Sequence, residues 1–108
     1  KMNHIERIYT DYAQLLKEDK ADFVYIALVN NAHYEFTRMA LEAGRNVIVE
    51  KPFTLTVAEA EELSAMAPER KLYLFEAISP LHTPNFCMVK ESLKKIGPVH
   101  FVQCNFSQ

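Results

Sequence analysis

The tripeptide Glu50-Lys51-Pro52 follows an apolar segment and is the strongest candidate for chemistry in this sequence. Lysine and glutamate are seldom fully buried without a partner, and proline cannot continue a sheet ladder. In open parallel sheets, ligands bind beyond the carboxyl ends of the strands. A lysine there can hydrogen-bond a substrate hydroxyl and stabilise the alkoxide that develops as hydride leaves carbon. We therefore favour a catalytic Lys51 over a surface ion pair. Glu50 would hold its ammonium or a ribose hydroxyl, and Pro52 would fix the turn.

Two further polar residues occupy equivalent positions. Asn30 follows the apolar residues 23–28, and Glu76 follows residues 72–75. Asn30 and the backbone N–H groups of the next helix start suit a polar or anionic ligand, although asparagine also commonly makes a turn or a cap. His33 lies in the first turn of that helix, where a surface or packing role is commoner than ligand binding. Three strands that end in polar residues at one edge predict a shared site.

Segments rich in β-branched and aromatic residues alternate with helix-like stretches, at residues 23–28, 47–49, 72–75 and 99–106. This alternation predicts an α/β fold with a parallel sheet and right-handed crossovers. The first three segments are continuous apolar runs, which is typical of strands buried on both faces. The fourth alternates apolar and polar residues and indicates a strand with one solvated face. We therefore expect residues 1–97 to belong to one domain and residues 98–108 to begin a second.

Helix start and stop signals separate these segments. Gly44 and Gly97 are the predicted helix stops. The predicted N-terminal caps are Thr10 or Asp11, Asn31, Thr56 with Glu59 as a capping box, and Thr83. The expected core stripes of the four helices are Tyr12, Leu15 and Leu16; Ala32, Phe36, Met39, Ala40 and Ala43; Val57, Ala60, Leu63 and Ala67; and Phe86, Val89, Leu93 and Ile96.

The composition excludes several classes of protein. A formal net charge of −2 over 108 residues, without a basic patch, argues against a nucleic-acid partner. No apolar run approaches the roughly 20 residues that a membrane-spanning helix needs. Cys87 and Cys104 are isolated and lack metal-ligand spacing, so we expect two reduced core thiols, no metal site and a cytoplasmic location.

The ordered set Asn30-x-x-His33, Ala43-Gly44, Val47-Ile48-Val49-Glu50-Lys51-Pro52 and Glu76-Ala77 resembles the glucose–fructose oxidoreductase / inositol dehydrogenase (Gfo/Idh/MocA) family. The similarity runs from about Tyr9 to the end of the chain. It implies an NAD- or NADP-dependent dehydrogenase or reductase that acts on a sugar, a polyol or a related small molecule. It also implies a Rossmann domain, and then an α+β domain whose sheet mediates homo-oligomer contacts. By this resemblance Lys51 is catalytic, and the cofactor-binding residues are Asn30, His33, Glu50, Pro52 and Glu76.

The resemblance implies that the chain is the C-terminal half of a Rossmann-type parallel sheet with its helices, plus the first strand of the second domain. The Gly-rich fingerprint, the residue that selects NAD or NADP, and the general base are then expected outside these residues, and this piece alone is expected to be inactive. The chain has Leu28-Val29 where the family often has Thr-Pro or Ser-Pro, and it lacks an arginine after Glu76-Ala77. These departures leave open a non-catalytic member that binds cofactor or sugar as a sensor or partner subunit. A flavodoxin-like signalling domain ranks below both.

Overall fold

A computed structural model describes residues 5–18 and 20–105 of the chain. Within these residues the chain forms four α-helices and three β-strands, with a short 3₁₀ turn before α2 and another before α4. The elements are, in chain order, α1 (Tyr12–Glu18), β1 (Phe23–Ile26), α2 (His33–Glu42), β2 (Asn46–Val49), α3 (Val57–Glu69), β3 (Leu74–Glu76) and α4 (Pro84–Leu93). The predicted order of strands and helices is confirmed, although β1 and β3 are shorter than or shifted from the predicted segments.

The three strands form one parallel sheet in the order β1-β2-β3. Ile26 lies opposite Val49 in one pairing, and Val49 lies opposite Glu76 in the other. The crossovers are α2, between β1 and β2, and α3, between β2 and β3. The predicted α/β fold with a parallel sheet is therefore confirmed, and the carboxyl ends of all three strands lie at one edge.

Contacts within the chain divide it into two compact units, the first ending at Ala77 and the second beginning at Ile78. The domain boundary near Gly97-Pro98 stays a prediction. In the second unit, Thr83 caps α4 as predicted, since its Oγ1 accepts from the Phe86 N–H at 3.4 Å. The α4 stripe predicted as core is exposed instead, at Phe86, Val89, Leu93 and Ile96.

The strand predicted for residues 99–106 is wrong for the described part of that segment. Residues 99–105 adopt no regular secondary structure, and Phe106 lies outside the described residues. A strand is stabilised by its ladder partner, and no described strand pairs with this segment. The alternating pattern indicates that this segment is compatible with a half-buried strand. It does not indicate whether a partner strand lies beside it. The two cysteines are free, as expected, but exposed rather than in a core.

The core of the first unit lies between one face of the sheet and helices α1, α2 and α3. Its fully buried apolar side chains include Leu41, Val47, Val49 and Leu63. The predicted α2 stripe is only partly right, because Ala40 is buried while Phe36 and Met39 are half-buried. The helix turns two polar residues, His33 and Thr37, fully into the interior instead. The predicted α3 stripe fails at the exposed Val57 and holds at Leu63 and Ala67.

Most of the predicted helix caps are present. The Thr56 Oγ1 accepts from the Glu59 N–H at 3.3 Å, and the Glu59 Oε2 accepts from the Thr56 N–H at 3.1 Å, which completes the capping box. Asp11 caps α1 through the Gln14 N–H at 3.0 Å. The Asn31 cap is wrong, because a 3₁₀ turn over Asn30–Ala32 precedes α2 and no side chain caps it. Gly44 follows α2 with a φ of 74°, which suits glycine.

A search of the described residues for membrane-spanning segments finds no helix with both the length and the apolar character to cross a bilayer.

Candidate active site

The predicted site residues follow neighbouring strands at the same edge of the sheet. Asn30 opens the 3₁₀ turn after β1, Glu50 and Lys51 follow β2 directly, and Glu76 is the last residue of β3. Because Val49 pairs with both Ile26 and Glu76, the strands end at nearly the same level. The backbone therefore brings the predicted residues to one rim, as expected for a parallel sheet.

Lys51 is exposed, and among the described residues its ammonium makes no hydrogen bond or ion pair. Its backbone N–H donates to the Glu50 Oε2 at 3.2 Å. The peptide bond that joins Lys51 to Pro52 is cis. An unpaired ammonium at a strand end is available to bind an oxygen atom of a ligand.

Glu50 is held by a residue that the sequence pattern did not single out. The Tyr25 hydroxyl, on β1, donates to the Glu50 Oε1. This hydrogen bond, and then the one from the Lys51 N–H, lowers the pKa of Glu50 below its ordinary value. The same bond raises the pKa of Tyr25. Glu50 is therefore a carboxylate at neutral pH, with acceptor capacity for hydroxyl groups.

The alternation of side chains along the strands indicates that Tyr25 and Glu50 lie on the same face of the sheet. Tyr25 lies opposite Ile48 on the neighbouring strand, and Glu50 is two residues beyond Ile48, so all three side chains face one side of the sheet. Locating the contact from sequence needed the register of β1 against β2, which the apolar runs alone do not define.

His33 is fully buried at the start of α2. Its Nδ1 lies 2.7 Å from the Pro52 carbonyl oxygen, and its Nε2 lies 3.0 Å from the Leu28 carbonyl oxygen. A carbonyl oxygen only accepts, so each contact is a hydrogen bond when the facing ring nitrogen carries a proton. The ring therefore connects the loop after β1 with the loop after β2.

Glu76 also reaches the loop after β2. Its Oε1 accepts from the Phe53 N–H at 2.8 Å. An open depression of roughly 380 Å³ adjoins this contact and is lined by residues 52–57, Ala60 and Glu76. Asn30 is exposed, and its side chain makes no hydrogen bond with the described part of the chain. The rim thus combines a free amide and a free ammonium with an ionised carboxylate at Glu50.

A family profile described as "Oxidoreductase family, NAD-binding Rossmann fold" (GFO_IDH_MocA) matches residues 1–77, which is more than half of the chain. The chain belongs to the Gfo/Idh/MocA family. The matched residues include the whole rim from Asn30 to Glu76. The family and the Rossmann fold implied by the sequence motifs are therefore confirmed.

Named relatives of this Gfo/Idh/MocA chain include two dehydrogenases. D-xylose 1-dehydrogenase (NADP(+)) of Hypocrea jecorina is 38% identical over 86% of this chain, which covers 24% of that enzyme. scyllo-Inositol 2-dehydrogenase (NADP(+)) IolU of Bacillus subtilis is 33% identical over 93% of this chain and 30% of its own length. The chain thus spans about a third or less of the length of these relatives.

Solved structures of the family share the fold. KijD10, a 3-ketoreductase from Actinomadura kijaniata in complex with TDP-benzene and NADP, is 40% identical and aligns with a TM-score of 0.73. That alignment covers 79% of this chain and 27% of KijD10. GenD2 from gentamicin A biosynthesis, in complex with NAD, is 33% identical with a TM-score of 0.75, over 79% of this chain and 24% of GenD2.

Proposed function

We propose that this chain is part of an NAD(P)-dependent oxidoreductase. The full-length enzyme transfers a hydride between the nicotinamide and a CH–OH carbon of a sugar, a polyol or a related small molecule. The observation that carries this proposal is the unpaired Lys51 ammonium at the carboxyl-end rim of a parallel sheet in a Gfo/Idh/MocA chain. The named dehydrogenase relatives support the substrate class.

Lys51 acts on the reacting oxygen of the substrate. Its ammonium donates a hydrogen bond to the hydroxyl that is oxidised, or to the carbonyl that is reduced, and stabilises negative charge on that oxygen in the transition state. A preorganised donor of this kind contributes on the order of 3 kcal/mol. Because the ammonium makes no hydrogen bond or close ion pair with the described residues, although its charge helps to lower the pKa of the adjacent Glu50, it binds substrate without first breaking a direct contact.

The donor and acceptor set of the rim fits a nicotinamide nucleotide. The Glu50 carboxylate, kept ionised by Tyr25, accepts from ribose hydroxyls, and the free Asn30 amide both donates and accepts. Pro52 shapes the loop beside them. The cofactor supplies hydride acceptance or donation when it is bound. Both NAD and NADP remain candidate cofactors, because the two named dehydrogenases carry NADP(+) in their names and GenD2 was solved with NAD.

His33 and Glu76 also belong to the predicted cofactor-binding residues, and a direct role for them stays a prediction. Their contacts with Pro52 and Phe53 support action through the loop that carries Lys51 instead. For the full-length protein we propose a cytoplasmic homo-oligomer. The free, exposed Cys87 and Cys104 support a reducing compartment.

The test uses the full-length protein with NAD⁺ and NADP⁺ and with D-xylose and scyllo-inositol, and it follows NAD(P)H absorbance. We expect Lys51→Ala to lower turnover by about 10²- to 10³-fold, the usual cost of one lost donor to a developing oxyanion. Cofactor affinity, measured by NADH and NADPH fluorescence titration, should change far less. Lys17→Ala, which removes an exposed lysine from α1, is the matched control. Unchanged turnover in Lys51→Ala would remove Lys51 from the mechanism.

The second candidate is a non-catalytic family member that binds cofactor or sugar as a sensor or partner subunit. It is favoured by the exposed apolar pair Leu28 and Val29 after β1, where the family often has Thr-Pro or Ser-Pro. Tight NADH or NADPH binding by the full-length protein, without turnover of any sugar or polyol, would favour this candidate.

A further inference from the structure

One peptide group next to Lys51 is held at both of its polar atoms. The Pro52 carbonyl oxygen lies 2.7 Å from the His33 Nδ1, and the Phe53 N–H donates to the Glu76 Oε1 at 2.8 Å. These two backbone atoms belong to the same planar peptide unit. The C=O and the N–H point in opposite directions within that plane, so the two contacts together restrict the rotation of the peptide group.

The two partners come from different strands. His33 begins the helix after β1, and Glu76 ends β3, whereas the peptide group that they hold follows β2. The second ring nitrogen of His33 adds the Leu28 carbonyl oxygen at 3.0 Å. An unbroken series of contacts therefore runs across the rim, from the loop after β1 to the end of β3. We call the set His33, the Pro52–Phe53 peptide and Glu76 the loop clamp.

The loop clamp acts on the backbone immediately after Lys51. Proline has no N–H, so the Phe53 N–H is the first backbone donor that follows Lys51. On the other side, the Lys51 N–H donates to the Glu50 Oε2. Three backbone polar groups next to the Lys51 side chain thus contact other side chains, while its ammonium makes no hydrogen bond with the described residues. The backbone after β2 is therefore fixed by these contacts, whereas the Lys51 ammonium is available to bind a ligand.

Burial supports a positioning role for His33. Its ring has no exposed surface, and both nitrogens already face carbonyl oxygens of the chain. A buried polar ring is costly unless it is hydrogen-bonded, and a proton on Nδ1 makes the Pro52 carbonyl oxygen its partner. A nucleotide could gain contact with the ring only by displacing one of these carbonyl oxygens.

We propose that His33 and Glu76 are positioning residues for Lys51. By orienting the Pro52–Phe53 peptide, they set where the lysine leaves the loop. This inference rests on the proposed function, because it assigns the catalytic consequence to Lys51. Displacement of a reacting group by about 1 Å can lower turnover by about 10²-fold, so loss of the loop clamp should reduce kcat while leaving cofactor affinity nearly intact.

The first test compares Glu76→Ala with Glu76→Gln in the full-length protein. The glutamine keeps an oxygen that accepts from the Phe53 N–H, and the alanine does not. We expect Glu76→Ala to lower kcat about tenfold to a hundredfold, with D-xylose or scyllo-inositol as the substrate, and Glu76→Gln to retain most of it. A large rise in the dissociation constant of NADH or NADPH in both variants, with kcat retained at saturation, would make Glu76 a cofactor ligand and overturn the proposal.

The second test separates the two nitrogens of His33. In His33→Asn the side-chain NH₂ lies near the place of Nδ1 and can still donate to the Pro52 carbonyl. In His33→Gln it lies near the place of Nε2 and can donate only towards Leu28. We expect His33→Asn to retain more turnover than His33→Gln. Equal losses in both variants would overturn the proposal, and this pair decides the matter if Glu76→Ala does not fold.

These outcomes are distinct from failure of the proposed function. If Lys51→Ala turns over substrate normally, the assignment of Lys51 is wrong whatever the clamp variants do. If Lys51→Ala is inactive but Glu76→Ala and His33→Gln keep native kcat, the proposed function stands and the loop clamp inference falls. Circular dichroism of each variant checks that the loss of turnover is not a loss of fold.

Discussion

Leu63 and Val57 lie on the same helix, α3, and both belong to its predicted core stripe. The structure separates them, because Leu63 is 0% exposed and Val57 is 74% exposed. Truncating each to alanine therefore tests which face of α3 is buried. Leu63→Ala removes three carbons from a closed interior, whereas Val57→Ala removes two from solvent.

The expected cost of Leu63→Ala has two parts. The transfer of three apolar carbons amounts to about 2.4 kcal/mol at roughly 0.8 kcal/mol each. The cavity left beside Leu41, Val47 and the other core residues adds to this, since interiors collapse only in part, and the total is about 3 kcal/mol. Val57→Ala should change stability by less than about 0.5 kcal/mol, as exposed substitutions do.

Urea unfolding followed by circular dichroism measures both variants. Leu63→Ala should lower the unfolding midpoint strongly without changing the slope of the transition, because the surface exposed on unfolding is nearly the same. Val57→Ala should unfold close to the native midpoint. A similar loss in both variants would show that the buried face of α3 includes Val57 and would refute the packing described above.

The remaining predictions concern two tyrosines. Tyr25→Phe should raise the pKa of Glu50 towards its ordinary value, because the hydrogen bond that chiefly lowers it is lost; a carbon-13 titration of the carboxyl group measures this, and an unchanged titration would contradict it. Burial raises the pKa of Tyr12 from 10.0 to about 12, so its stabilising contribution is complete below pH 10.0 and is lost as the pH rises towards about 12. Urea midpoints taken across this interval should fall less steeply in Tyr12→Phe, which cannot ionise, than in the native protein; equal slopes would exclude Tyr12 as a source of alkaline destabilisation.

Local signals were enough for the backbone of the first unit. The capping box at Thr56 and Glu59 and the stop at Gly44 involve residues close together in sequence, so their partners are visible without a fold. The continuous apolar run of β2 correctly predicted a strand of a parallel sheet, and the charged residues after it follow the end of that strand. Burial on both faces is wrong, because Val47 and Val49 are buried while Tyr25 and Phe75, on the other face, are exposed. The β-α alternation correctly predicted that the strands are parallel.

The errors arose where distant partners decide burial. His33 and Thr37 are not in the predicted core stripe of α2, yet both are fully buried. For His33 the reason is visible only in three dimensions, because its partners are carbonyl groups 5 and 19 residues away. The Tyr25–Glu50 hydrogen bond likewise joins residues 25 positions apart in sequence, so it becomes visible only in the folded chain. The segment 99–105 shows the reverse case, an alternating pattern without a described partner strand.

Asn46, at the opposite end of β2 from Lys51, bridges both neighbouring chain segments. Its Nδ2 donates to the Asp22 carbonyl oxygen at 2.7 Å, and its Oδ1 accepts from the Tyr73 N–H at 2.9 Å. A one-residue slip of β2 would break both bonds and also turn Val47 and Val49 out of the core. The Asn46 side-chain amide therefore fixes the register of β2 against its two neighbours. These two bonds fix the level at which all three strands begin, and therefore the level at which the rim residues Asn30, Lys51 and Glu76 lie at their carboxyl ends.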